Sequence, residues 1–105
     1  MDKWFQQLHF VMKARTYLTG ELAMKALSKK KIYYGIIASD TSKSHLSSIE
    51  ERLRFYQIPW IVTLSKSIME SLTHKKQVVF IGITNADLAN ILKEKESYHE
   101  KTSIK

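Results

Sequence analysis

The sequence predicts an α/β protein: a three-layer α/β/α sandwich built on a small mixed central sheet. Two short runs carry that reading. Ile32-Tyr33-Tyr34-Gly35-Ile36-Ile37-Ala38 and Gln77-Val78-Val79-Phe80-Ile81-Gly82-Ile83 are almost continuously apolar and rich in β-branched and aromatic residues, the pattern of strands buried on both faces. Segments with apolar residues at helical spacing alternate with these runs, so each face of the sheet has helices to cover it. Length sets the scale, because 105 residues hold one core and not two. No repeat and no Pro-, Gly- or Ser-rich linker divides the chain. The domain is expected over residues 1–95, with a polar, frayed tail over 96–105.

The elements follow in order. Trp4, Leu8, Val11, Met12 and Arg15 recur at helical spacing and predict an amphipathic helix over 3–15. Gly20 interrupts, and Leu22, Met24, Ala26 and Leu27 predict a second helix ending at Ser28-Lys29-Lys30-Lys31, where cations suit the helix dipole. The Ile32–Ala38 strand follows, then Ser39-Asp40-Thr41-Ser42 with turn and N-cap chemistry. Leu46, Ile49, Leu53 and Tyr56 predict a third helix, with Ser47, Glu50, Glu51 and Arg54 on its solvent face. Pro59 ends it, and Trp60–Leu64 reads as a strand. Ser65 caps a short helix to Leu72, the Gln77–Ile83 strand follows, and Thr84-Asn85-Ala86-Asp87 starts a last helix carrying Leu88, Ile91 and Leu92. Trp4, Phe5, Phe10 and Phe55 are expected in the core.

Seventeen Lys and Arg against ten Asp and Glu give a net charge of +7, which points to an anionic partner, nucleic acid or a membrane surface. The excess is uneven. Residues 1–31 hold seven cations (Lys3, Lys13, Arg15, Lys25, Lys29, Lys30, Lys31) against Asp2 and Glu21, whereas residues 32–64 balance at zero. No cysteine is present, so neither a disulfide framework nor a thiolate metal site forms, and a reducing, cytoplasmic setting is expected. No apolar run approaches the ~18–20 residues of a membrane span, and the N-terminal residues are too polar for a signal-peptide core.

The sequence offers little for catalysis. Gly20, Gly35 and Gly82 are too far apart for a phosphate loop or a dinucleotide fingerprint, so no cofactor is expected. His9, His45, His74 and His99 include no i, i+4 pair, so no metal is expected either. No serine sits in a nucleophile elbow, and the adjacent pair Glu50-Glu51 lies on a solvent face. Asp40 alone ends a buried strand, where ligand sites of α/β proteins form, though it also suits a turn or N-cap.

Three stretches stand in a familiar order: Leu8–Arg15, Thr19-Gly20-Glu21-Leu22-Ala23-Met24-Lys25-Ala26-Leu27, and Ile36-Ile37-Ala38-Ser39-Asp40-Thr41-Ser42. With Tyr56-Gln57-Ile58-Pro59 before an edge strand and Val78–Ile83 as the last strand, the order resembles the kink-turn RNA-binding ribosomal protein superfamily. That superfamily comprises archaeal and eukaryotic large-subunit proteins and small bacterial relatives, and the likeness is nearest to the bacterial YlxQ-type branch. It covers about residues 4–93. The resemblance implies a non-catalytic, ribosome-associated protein that grips a sharply bent RNA stem, with no membrane partner. It assigns the grip to three pieces: Gly20, Glu21, Leu22 and Lys25 at the start of the second helix; Ser39 and Asp40 after the first buried strand; and Thr73, His74, Lys75 and Lys76 before the last strand. Arg15 joins them as a cation expected to converge on the same surface.

The chain departs from the family pattern at two places. The segment G-x-N-E-x-x-K is here Gly20-Glu21-Leu22-Ala23-Met24-Lys25, one residue shorter and without the Asn. Either a residue is deleted and Gly20 and Glu21 stay matched, or Thr19 stands at the glycine and Leu22 at the glutamate. The family's Leu-Gly pair is Leu72-Thr73, and the loop behind it is shortened. Phosphate grip without base readout is the expectation. The competing class is a protein-interaction module on the same fold, its lysines serving solubility.

Overall fold

A computed structural model describes residues 2–98 together with 103 and 104. The elements run α1 (Lys3–Ala14), β1 (Tyr17–Thr19), α2 (Gly20–Ser28), β2 (Tyr34–Ile37), α3 (Lys43–Phe55), β3 (Trp60–Val62), α4 (Lys66–Thr73), β4 (Phe80–Ile83) and α5 (Ala86–Glu94). A turn of 3₁₀ helix at Lys95–Tyr98 and a two-residue strand β5 (Ser103–Ile104) complete the described chain. The strands lie in the order β1-β4-β2-β3-β5; β2 and β3 are parallel and the remaining pairings antiparallel. This is the mixed sheet of an α/β sandwich.

Strand alternation explains the two cores. Tyr34 and Ile36 of β2, Ile61 of β3, and Ile81 and Ile83 of β4 point to one face, where Trp4, Leu8 and Val11 of α1, Met69 of α4 and Leu92 of α5 cover them. Ile37, Trp60, Val62 and Phe80 point to the other, beneath Ala23 and Leu27 of α2 and Ile49 and Leu53 of α3. Strands covered on both faces read as unbroken apolar runs, which is why β2 and β4 are legible in the sequence.

Gly35 and Gly82 stand opposite each other where β2 meets β4. A Cβ on Gly35 would lie 2.9 Å from the Phe80 ring, and one on Gly82 would lie 2.8 Å from Ile32. The paired glycines are the hollow into which Phe80 and Ile32 pack.

The structure corrects several expectations. β1 fills a stretch for which periodicity predicts nothing, because three residues are too few to alternate. The strand after Pro59 is covered by β5 and is not an edge. The Gln77–Ile83 run starts as a loop: Gln77 is left-handed (φ 59°) and its N–H donates to the Glu70 carboxylate at 2.7 Å. Glu50 is not on a solvent face; it is half-buried and accepts the Trp60 indole N–H at 3.1 Å, while Arg54 lies over the Trp60 ring. Trp4 is in the core and Phe5 half-buried, but Phe10 and Phe55 are exposed. The domain also passes its expected boundary. Glu96 is buried and accepts a 2.5 Å hydrogen bond from the Tyr34 hydroxyl, which in turn accepts the Trp4 indole N–H at 3.3 Å. Of the expected frayed tail, 99–102 and 105 lie outside the described residues.

Burial, and then the Glu96 carboxylate beside it, hold the Tyr34 hydroxyl well above the usual tyrosine range. The folded protein keeps this proton where the unfolded chain releases it, so Tyr34 contributes full stability below about pH 10 and loses it progressively above. Tyr34→Phe is expected to cost about 1–3 kcal/mol at neutral pH. It is also expected to flatten the fall in Tm above pH 10; thermal melts from pH 8 to 11 check both effects, and parallel curves for the two proteins would refute the second. Gly35→Ala is expected to destabilise by about 1–3 kcal/mol through overpacking against Phe80, read by chemical denaturation.

Candidate nucleic-acid interface

The sheet topology decides where the candidate residues fall. β1 and β2 both run antiparallel to β4, so the ends of β1 and β2 and the beginning of β4 share one end of the sheet. The start of α2, the Ser39–Asp40 turn and the His74–Val79 approach to β4 are attached there. The three pieces separated by about 50 residues of sequence therefore belong to one pole of the molecule.

At the first piece, Thr19 makes no side-chain cap to α2, and Gly20 is left-handed (φ 55°) with open space where a Cβ would stand. The turn into α2 is thus built on backbone conformation, and the helix presents its first N–H groups without a side-chain cap. Glu21 and Lys25 are exposed, and Leu22 is 59% exposed.

At the second piece, the side chains serve the backbone. Ser39 donates from N–H and Oγ to the Leu64 carbonyl at 2.8 and 2.9 Å. Asp40 accepts the Lys66 N–H at 3.0 Å, so its carboxylate supports the start of α4 and not the helix that follows it in sequence. Ser65 completes that terminus by accepting the Ile68 N–H.

The third piece closes α4. Thr73 is buried and donates to the Met69 carbonyl at 2.8 Å while accepting the Lys75 N–H, so its hydroxyl is engaged in closing the helix. His74 is the left-handed C-cap (φ 59°). Lys75 and Lys76 are exposed, and the Lys75 ammonium donates to Thr19 Oγ1 at 3.5 Å. That bond ties the third piece to the threshold of the first.

Beside this junction an open groove of about 820 Å³ lies between the end of α1, β1 and the end of α4. His9, Lys13, Arg15, Tyr17, His74 and Lys75 line it, and no acid does. Arg15, Thr73, His74 and Lys75 of the expected set are brought together there; Gly20, Glu21, Leu22, Lys25, Ser39, Asp40 and Lys76 are not among its lining residues. His9, Lys13 and Tyr17 are additions that sequence reasoning passed over. The signal was the i, i+4 spacing of His9 and Lys13, which places both on one flank of α1.

Two helix C-termini meet at this groove, α1 ending at Arg15 and α4 at His74. Their dipoles place about half a negative charge each at the site. Lys13, Arg15 and Lys75 outweigh that sum, so the groove carries net positive charge beyond what the helix ends require. Among the described residues no group of His, Asp and Glu is placed to hold a metal ion, and no helix is long and apolar enough to cross a membrane.

No family model matches the chain, and no curated protein matches it. A solved protein of unknown function from Bacillus halodurans is similar to it, with 26% identity over 90% of this chain and 97% of the other and a TM-score of 0.81. The likeness supports the architecture and leaves function to the site.

The left-handed caps generate a test. His74→Gly relieves the Cβ strain of a left-handed residue, a gain that exceeds the entropy penalty of glycine by about 0.5–1 kcal/mol. The variant is expected to melt higher than the wild type while removing an imidazole from the groove. A lower Tm would show that the His74 side chain contributes packing or charge at the end of α4.

Proposed function

We propose that the protein is a non-catalytic binder of structured RNA, gripping the phosphates of a bent stem at the pole described above. The observation that carries the reading is the acid-free groove of Lys13, Arg15, His74 and Lys75, joined by the Lys75–Thr19 bond to the start of α2. Cations along such a groove neutralise phosphates, and helix N–H groups donate to the oxygens of the next phosphate along the strand. A bent stem presents phosphates of both arms to one convex surface, whereas a straight duplex presents a single line of them. Recognition by shape suits a chain that lacks the family's Asn, because shape needs no base edge.

The assignment supports a ribosomal or ribosome-associated role in the cytoplasm, as the resemblance to the kink-turn binding superfamily implies. By the resemblance, either Glu21 or Leu22 stands where that superfamily reads bases. An exposed leucine and a single carboxylate offer less to a base than an amide, so selectivity comes from the bend and affinity from charge.

Fluorescence anisotropy with a labelled kink-turn stem and a straight duplex of equal length tests this. Three phosphate contacts give a salt slope near −2.7, so affinity is expected to fall about 40-fold between 50 and 200 mM salt. Lys13→Ala/Lys75→Ala is expected to reduce that slope by about two units. Lys25→Ala is expected to weaken binding with no change in Tm, since an exposed lysine contributes little to packing. Equal affinity for stem and duplex would remove the preference for bent RNA; no binding at 50 mM salt would remove RNA altogether and leave the protein-interaction reading.

A further inference from the structure

The opposite end of the sheet carries a second, chemically different surface. The end of α2, the approach to β2 and the end of α3 enclose a pocket of about 420 Å³. Lys30, Tyr33, Phe55, Tyr56 and Gln57 are among its lining residues. Phe55 is 77% exposed and Tyr33 43% exposed, an unusual placement for two rings beside each other's elements in a domain with few exposed aromatics. Phe55 is fixed edge-to-face against Tyr56, with ring centroids 4.9 Å apart. Its ring is thus presented to solvent beside that of Tyr56.

Lys30 lines the pocket with the rings, and its two chain neighbours are also lysines. Lys29, Lys30 and Lys31 are consecutive and exposed, and among the described residues none pairs with a carboxylate. Their N–H groups close α2 on the Ala26 and Leu27 carbonyls, and Lys30 is left-handed (φ 57°), which fixes the course of the run at the pocket. No acid lines this site either.

We infer that this pocket is a second RNA contact, in which unpaired bases stack on Phe55 and Tyr33 while Lys29, Lys30 and Lys31 hold the adjoining phosphates. Exposed rings interleaved with cations are the ingredients of single-strand binding, which tolerates any base because every base has a flat face. Gln57 adds a donor and an acceptor for a base edge. The pocket volume lies within the ~300–1,000 Å³ range that encloses a nucleoside-sized group. An acidic peptide matches the charge, but acidic motifs are gripped by Arg clusters and the cation lining this pocket is Lys30; strand addition in turn needs an open edge. Here the backbone at the pocket is already paired, with the Tyr33 N–H on Ile83 and the Gly35 N–H on Pro59. The inference rests on the RNA reading for the kind of partner, and on this pole alone for the place. The longest dimension of the domain is 31 Å, so a bent stem at one pole and its single-stranded flank at the other lie within one short RNA.

Anisotropy of fluorescein-labelled deca-adenylate RNA at 50 mM salt, with the full chain, is the direct test. Phe55→Ala is expected to weaken binding at least fivefold, the lower end of the loss of one stacked base. Lys29→Ala/Lys31→Ala is expected to weaken it and to lessen its salt dependence, and Phe55→Ala to weaken it with the salt dependence kept, a pattern that loss of cations at the first pole does not produce. Far-UV circular dichroism shows that each variant is folded. Unchanged deca-adenylate affinity in Phe55→Ala overturns the inference, as does a Glu- and Phe-containing decapeptide that binds the same variants more tightly than the RNA does. Loss of kink-turn stem binding in the wild type, with deca-adenylate binding still sensitive to Phe55, would refute the proposed function at the first pole and leave this site standing.

Discussion

Phe80–Ile83 is hydrogen-bonded to β1 on one side and to β2 on the other, and both pairings are antiparallel. That constraint orders the rest of the molecule. It sends the ends of two earlier strands and the beginning of a later one to the same pole, which gathers loops from distant parts of the chain. It also places β4 in both cores at once, with Ile81 and Ile83 under α1 and α5 and Phe80 under α2 and α3. The register that does this is fixed by two glycines facing each other, because a slip by one residue would set Phe80 against a backbone carrying Cβ atoms.

The two poles differ in how they present positive charge. At one, cations sit on helix ends and a loop, part of their charge answering the dipoles of α1 and α4. At the other, a lysine run lies beside exposed rings. Backbone strain accompanies both. Arg15, His74 and Gln77 at the first pole and Lys30 and Gln57 at the second are left-handed without being glycine. Glycine would suit those conformations better, and the chain retains side chains there that can touch a ligand.

The layers of the fold were legible from the two buried strands and the periodicity of the helices, since burial on both faces leaves an unmistakable run of apolar residues. Elements held by few residues were not: β1 has three residues, and β5 lies beyond the residue at which the domain was expected to end. Glu96 escaped notice because a lone glutamate in a polar stretch gives no sign of its partner Tyr34, 62 residues away. Arg15, His74 and Lys75, expected from charge and resemblance to share one surface, line a single groove. A threonine closing a helix and a threonine facing a ligand look alike in sequence, and Thr73 lines the groove with its hydroxyl already engaged by Met69 and Lys75. Lys13 and His9 were overlooked because a helix flank becomes a groove wall only when α4 is laid beside it. Phe55 could not be separated from the core aromatics, since its position ends α3 one residue before half-buried Tyr56.

The Trp4–Tyr34–Glu96 hydrogen bonds join the first helix, an interior strand and the turn after the last helix. During synthesis residue 4 emerges first, residue 34 next and residue 96 last of the three. A nascent chain that has reached α5 holds Tyr34 without its carboxylate partner, so the interior is finished only as residue 96 is added. A chain truncated before residue 96 keeps α1 to α5 and β1 to β4, yet leaves the Tyr34 hydroxyl without this acceptor.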